Sequence, residues 1–83
     1  MSGGLPLDRA AFVLVTTYPG KEKYVHEELK KLREVQYAEP LFGEYDIMVK
    51  LEADPEKMGE IVMYKLRKIK GISETKTLQS VIL

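Results

Sequence analysis

No cysteine occurs among the 83 residues, and there is no asparagine, two glutamines and a single histidine, His26. Without cysteine the chain can form neither a disulfide framework nor a thiolate metal site, which suits a reducing interior. One histidine with no second histidine makes a poor metal site, and no cofactor is called for by any motif. No apolar run approaches the roughly 20 residues needed to span a bilayer, and Met1 to Arg9 lacks the apolar core of a secretory signal, so a cytoplasmic protein with no membrane partner is expected. Charge of one sign is also missing. Thirteen Lys and Arg balance thirteen Asp and Glu, and they are mixed rather than segregated into blocks. Direct nucleic-acid binding, which needs a concentrated cationic face, is therefore not expected. The shortage of Asn and Gln beside many Lys and Glu is a bias seen in proteins of thermophiles.

What is present is one small domain. At 45% apolar residues the composition is that of a folded protein, but its size lies near the lower limit at which one core suffices, so part of its apolar surface calls for a partner. Met1 to Arg9 carries Gly3, Gly4 and Pro6 without periodicity and reads as a loose leader. The folded part is then residues 10–83.

Ala10 to Thr17 is continuously apolar and β-branched, with Phe12 and Leu14 on one side and Val13 and Val15 on the other. It reads as a strand buried on both faces, in the middle of a sheet. After Tyr18, Pro19 and Gly20, a helix is expected over Lys21 to Arg33, where Val25, Leu29 and Leu32 fall at helical spacing and His26 lies off the stripe, at a solvated position. Val35 to Phe42 reads as a strand whose Pro40 confines it to an edge. Ile47, Val49 and Leu51 form the apolar face of a third strand, and Gly43 is the residue able to reverse the chain tightly between the two. Asp54 and Pro55 open a second helix as N-cap and first helical residue; Met58, Ile61, Val62, Leu66 and Ile69 trace its apolar face, with Met63 and Tyr64 at the margins. Lys65, Arg67, Lys68 and Lys70 load its C-terminal end, where cations complement the helix dipole. Gly71 stops it, and Ile72 to Leu83 reads as a last, edge strand with Thr75, Thr77 and Gln79 on one face.

The order β-α-β-β-α-β, with two apolar inner strands and two more polar outer ones, is that of an α+β, ferredoxin-like sandwich: a four-stranded antiparallel sheet of order 4-1-3-2 with two helices on one face. The other face keeps one of the two apolar pairs of the first strand. Two such sheets are expected to pack face to face as a homodimer, since burying about 400 Å² of apolar area at ~25 cal/mol/Å² is worth about 10 kcal/mol gross. Ligand sites would then lie at subunit boundaries and in loops.

The loop that matters most is Gly43-Glu44-Tyr45-Asp46, at the mouth of the hairpin. A carboxylate beside free backbone N–H groups suits a small zwitterion; turns rich in Gly and Asp are also common for purely structural reasons, so the four residues alone leave both readings open. Taken together, Ala11 to Gly20, the stretch Gly43 to Val49 before a helix opened by Asp54-Pro55-Glu56, and Lys70 to Thr77 resemble the effector-binding (RAM) domain of Lrp/AsnC-type transcriptional regulators, over about Ala10 to Leu83.

The resemblance implies dimers that assemble further, commonly into octamers, and an amino-acid effector bound between dimers. It places Gly43, Tyr45 and Asp46 in the family's G-x-Y-D turn. Asp46 would accept hydrogen bonds from the effector ammonium, and backbone N–H groups around Gly43 and Glu44 would meet its carboxylate. Thr75 and Thr77 match threonines on the last strand and would form a polar wall, with Ser80 as an outlying member. The chain has no room for the family's helix-turn-helix domain, so it resembles the stand-alone version of the effector domain. Two roles follow, an amino-acid sensor or a subunit that co-assembles with full-length regulators.

Two other readings compete. Dimeric ferredoxin-like domains of this length include small monooxygenases and cyclases, for which His26, Tyr24 and Tyr45 would be the candidates; no paired carboxylates or second histidine accompany them. An assembly module without a ligand would share the fold and the dimer.

Overall fold

The computed structural model describes residues 10–79. The leader expected over residues 1–9 and the end of the last strand, with Ser80, lie outside the described residues. In chain order the elements are β1 (Ala10–Thr17), α1 (Glu22–Lys30), β2 (Val35–Pro40), β3 (Ile47–Glu52), α2 (Pro55–Ile61), a π-helical turn (Val62–Leu66) and β4 (Ile72–Gln79). The sheet runs β2-β3-β1-β4 with every neighbouring pair antiparallel, the order read from the sequence.

The faces of β1 alternate as its spacing requires. Ala11, Val13, Val15 and Thr17 are buried, whereas Ala10, Phe12, Leu14 and Thr16 are only half-covered. Val13 lies opposite Val49 on β3 and Thr77 on β4, so the buried face continues across the sheet through Ile47, Val49 and Leu51. Val25 and Leu29 of α1, with Met58, Ile61, Val62 and Leu66, cover that face. β1 is thus buried on one face within the protomer, not on both. Helices on one side of a four-stranded sheet leave its other side bare.

That bare face carries Phe12, Leu14, Met48, Tyr37 and Leu78. Register puts Phe12 opposite Lys50 and Leu78, and Leu14 opposite Met48 and Lys76. The Lys50 ammonium lies 6.0 Å from the Phe12 ring centre, so a cation caps part of the apolar surface.

Several boundaries differ from the sequence reading. α1 ends at Lys30 rather than Arg33, because Lys31 and Leu32 close a tighter turn onto the carbonyls of Glu28 and Leu29. β2 stops at Pro40, which has no N–H to extend the ladder, and residues 41–46 form a wider connection than a tight reversal. Leu41 N–H donates to the Asp46 carbonyl at 2.8 Å to close it, and Gly43 takes φ +127° within it. α2 does not run through as an α-helix but widens into the π turn, where Arg67 N–H donates to the Val62 carbonyl at 3.0 Å. Asp54 does precede the helix in extended geometry, with Pro55 at its start.

His26 is not a solvated position. Its Nε2 lies 2.8 Å from the Ala38 carbonyl, which accepts from the ring and ties α1 to β2. Nor does the basic cluster simply complement the helix end. Lys65 pairs with Glu34 in the connection before β2, and Lys68 sits 5.9 Å from the Tyr64 ring centre.

Candidate functional site

Asp46 is half-buried where the 41–46 connection enters β3. Its N–H donates to the Val15 carbonyl at 2.9 Å, and its Oδ2 accepts from the Thr17 N–H at 2.8 Å and from the Thr17 hydroxyl at 3.4 Å. The register of β1 against β4 shifts between Thr16 and Thr17, and the Asp46 carboxylate satisfies the Thr17 N–H at that irregularity. Asp46 therefore has a structural task, fastening the end of β1 to the start of β3. Oδ1 has no hydrogen-bond partner among the described residues and can accept from outside. Thr17 was not legible as a partner, since a threonine at a strand end is ordinary.

Gly43 and Glu44 are exposed and Tyr45 is half-buried. Next to them Phe42 is fully exposed and Leu41 partly so, which makes an apolar loop tip. Thr75 and Thr77 lie elsewhere. They face the helices across β1 from Asp46, Thr75 opposite Val15 and Thr77 opposite Val13. Two strand spacings, about 10 Å, separate them from the turn. The anticipated site residues thus form two groups, one on either flank of β1.

Thr75 and Thr77 instead border a groove of about 330 Å³ between α2, the π turn and β4, completed by Met58, Gly59, Val62, Met63 and Arg67. Met58 and Val62 are buried at its base; Met63 and Arg67 stand exposed at its rim. Sequence reasoning missed Gly59 and Arg67. A glycine inside an otherwise good helical stretch is the one signal that pointed there.

The residues weighed for catalysis do not converge. His26 lines a hollow with Lys30 and residues 35–38, and neither Tyr24 nor Tyr45 borders it. Among the described residues no group of three or more His, Asp or Glu could hold a metal ion.

The family model for the Lrp/AsnC ligand binding domain matches residues 10–81. The chain belongs to that family. An uncharacterized HTH-type transcriptional regulator of Pyrococcus furiosus is 38% identical over 82 residues, an alignment that covers 94% of this chain and 55% of the relative. The chain thus spans about half the length of the curated relatives it matches. Among solved structures, the hypothetical protein PHS023 of Pyrococcus horikoshii is 36% identical with a TM-score of 0.80, covering 89% of this chain and 90% of that one. A transcriptional regulator of Neisseria meningitidis, solved as its L-Met complex, has a TM-score of 0.74 at 20% identity, covering 88% of this chain and 49% of its own, a likeness that bears on the fold alone. The Lrp/AsnC ligand-binding domain of this chain is a regulatory, effector-binding module, and the relatives of such modules are named as transcriptional regulators rather than enzymes. No described helix is long and apolar enough to cross a membrane.

Proposed function

We propose that the protein is an amino-acid-responsive regulatory module that works as an oligomer, with the effector held at subunit boundaries. The observation that carries this reading is Asp46. One carboxylate oxygen is committed to Thr17, and the other stays unpartnered at a half-exposed turn, so an anion is already oriented to receive an ammonium group. Backbone N–H groups around Gly43 and Glu44 are the natural partners for the effector carboxylate. Because Thr75 and Thr77 lie across β1 from that turn, they serve as wall residues to an effector reaching in from a neighbouring protomer. Ser80, outside the described residues, keeps its place in this reading as an outlying member.

The assembly that supports such a boundary is a homodimer through the bare sheet face, extended to an octamer, with co-assembly alongside full-length Lrp/AsnC regulators as a second mode. In this reading the module works in the cytoplasm and acts on transcription without contacting DNA through this domain.

Thermal melting with each of the twenty amino acids tests the reading. A ligand at 100 times its Kd adds about 2.7 kcal/mol of stability. Absence of any shift from all twenty, with the protein oligomeric, would leave an assembly module without a ligand. Asp46→Asn is the informative variant. Its amide oxygen can still accept from the Thr17 N–H, so the fold is retained while the charge that receives the ammonium is gone. Asp46→Ala would strip a buried N–H of its acceptor and confound binding with stability.

A further inference from the structure

We infer that the groove between α2, the π turn and β4 is a carboxylate-binding site for small organic acids with an apolar tail, in which Arg67 takes the carboxylate. It deepens the effector-binding reading by naming a ligand class that needs no ammonium group.

Four observations converge on this groove. Gly59 sits in the middle of α2, where glycine costs about 1 kcal/mol relative to alanine. A Cβ built there meets nothing within 4 Å, so no packing within the protomer requires glycine. The helix then gives up regular winding in the π turn just where it borders the groove, and such turns collect at functional sites. The i→i+5 bond from Arg67 N–H to the Val62 carbonyl brings these two groove residues one wide turn apart along the helix. In an uninterrupted α-helix five residues would leave them about 140° apart around the axis.

The chemistry of the lining selects the occupant. The Arg67 guanidinium makes no ion pair among the described residues, unlike Lys65, which pairs with Glu34. The hydroxyls of Thr75 and Thr77 likewise have no partner among them. A planar cation with two nearby hydroxyls suits a carboxylate, and Met58, Val62 and Met63 give an adaptable apolar wall for its tail. No acidic side chain lines the groove, so an ammonium group finds no counter-charge in it.

Titration of the full chain with three probes of one carbon skeleton tests this. These are L-leucine, 4-methyl-2-oxopentanoate, which lacks the ammonium, and 3-methylbutan-1-amine, which lacks the carboxylate. The oxo acid is expected to bind and the amine is not. Arg67→Gln should weaken oxo-acid binding by about tenfold to hundredfold, the loss from removing one charge-assisted contact. Gly59→Leu, which fills open space and favours the helix, should weaken it similarly with an unchanged circular dichroism spectrum. Lys68→Gln, a neighbouring cation outside the groove, should bind as wild type. Leucine binding without oxo-acid binding overturns the groove proposal and leaves the amino-acid reading standing. Oxo-acid binding without leucine binding supports the groove and leaves the amino-acid reading to the melts with the other nineteen. Failure of both ligands overturns the groove proposal. Oxo-acid binding unaltered in Arg67→Gln and Gly59→Leu overturns the proposal, as does a Gly59→Leu variant that changes only the sedimentation coefficient, which would make the groove a seat for another chain.

Discussion

Gly71 and Gly43 both adopt positive φ, at +105° and +127°, yet they differ in what a side chain would meet. A Cβ at Gly71 would come within 2.8 Å of Val25 Cγ2 and 3.0 Å of Lys21 Cβ, because the chain passes close over the start of α1 before entering β4. At Gly43 there is nothing within 4 Å. Gly71→Ala therefore carries both backbone strain and a clash and should cost about 1–3 kcal/mol or more, whereas Gly43→Ala carries the strain alone. Denaturant midpoints at constant slope measure both, and an equal loss at the two sites would contradict the clash. The same attention to a residue's own surroundings changes the standing of Asp46. Its turn pattern was readable, but its bond to Thr17 was not, since 29 positions separate the two in the chain.

At the scale of elements, the π turn is fastened to the connection between α1 and β2 by Lys65, which donates to the Glu34 carboxylate. That hydrogen bond holds the Glu34 carboxyl below its ordinary value, against the opposing effect of burial. A carboxyl depressed in the folded state adds stability that is fully present above its unfolded value, about 4.3, and is lost as pH falls through the folded value. Lys65→Met should thus lower stability by about 0.5–1 kcal/mol at pH 7. The difference from wild type should shrink as pH falls below about 4. Urea unfolding at pH 7 and pH 3 checks it, and an equal gap at both would show that the carboxylate is not involved. Glu34 Oε1 is buried without a partner among the described residues, so the tether leaves one acceptor unmet. Periodicity showed the apolar face of this second helix correctly but not the widening after Ile61. Met58, Val62 and Leu66 keep i,i+4 spacing whether or not one turn is π.

For the whole molecule, the sheet face opposite the helices carries Phe12, Leu14, Met48, Tyr37 and Leu78. Leu14 stands near its centre, opposite Met48 on one side and Lys76 on the other. Leu14→Glu puts a charge into the middle of the proposed dimer seam without touching the helix-side core. Sedimentation at micromolar concentration should then report a smaller particle than the wild-type oligomer, with the far-ultraviolet spectrum unchanged. A Leu14→Glu variant that remains dimeric would place the contact elsewhere, the exposed Phe42 and Leu41 tip being the next apolar surface.

The continuously apolar, β-branched run Ala10 to Thr17, the spacing of Val25 and Leu29, the Asp54-Pro55 start and the edge-marking Pro40 together determined the order of elements, because each is a local pattern whose period matches one backbone geometry. Those patterns also showed that one of two apolar pairs on β1 would stay outside the core. Only the tertiary structure decided that it is Phe12 and Leu14, that Asp46 is held by Thr17, and that Thr75 and Thr77 share a groove with Gly59 and Arg67 rather than with the Gly43 turn. Each of these depends on which strand lies beside which and on which side the helices pack. Such contacts join residues far apart in the chain, and no local period records them.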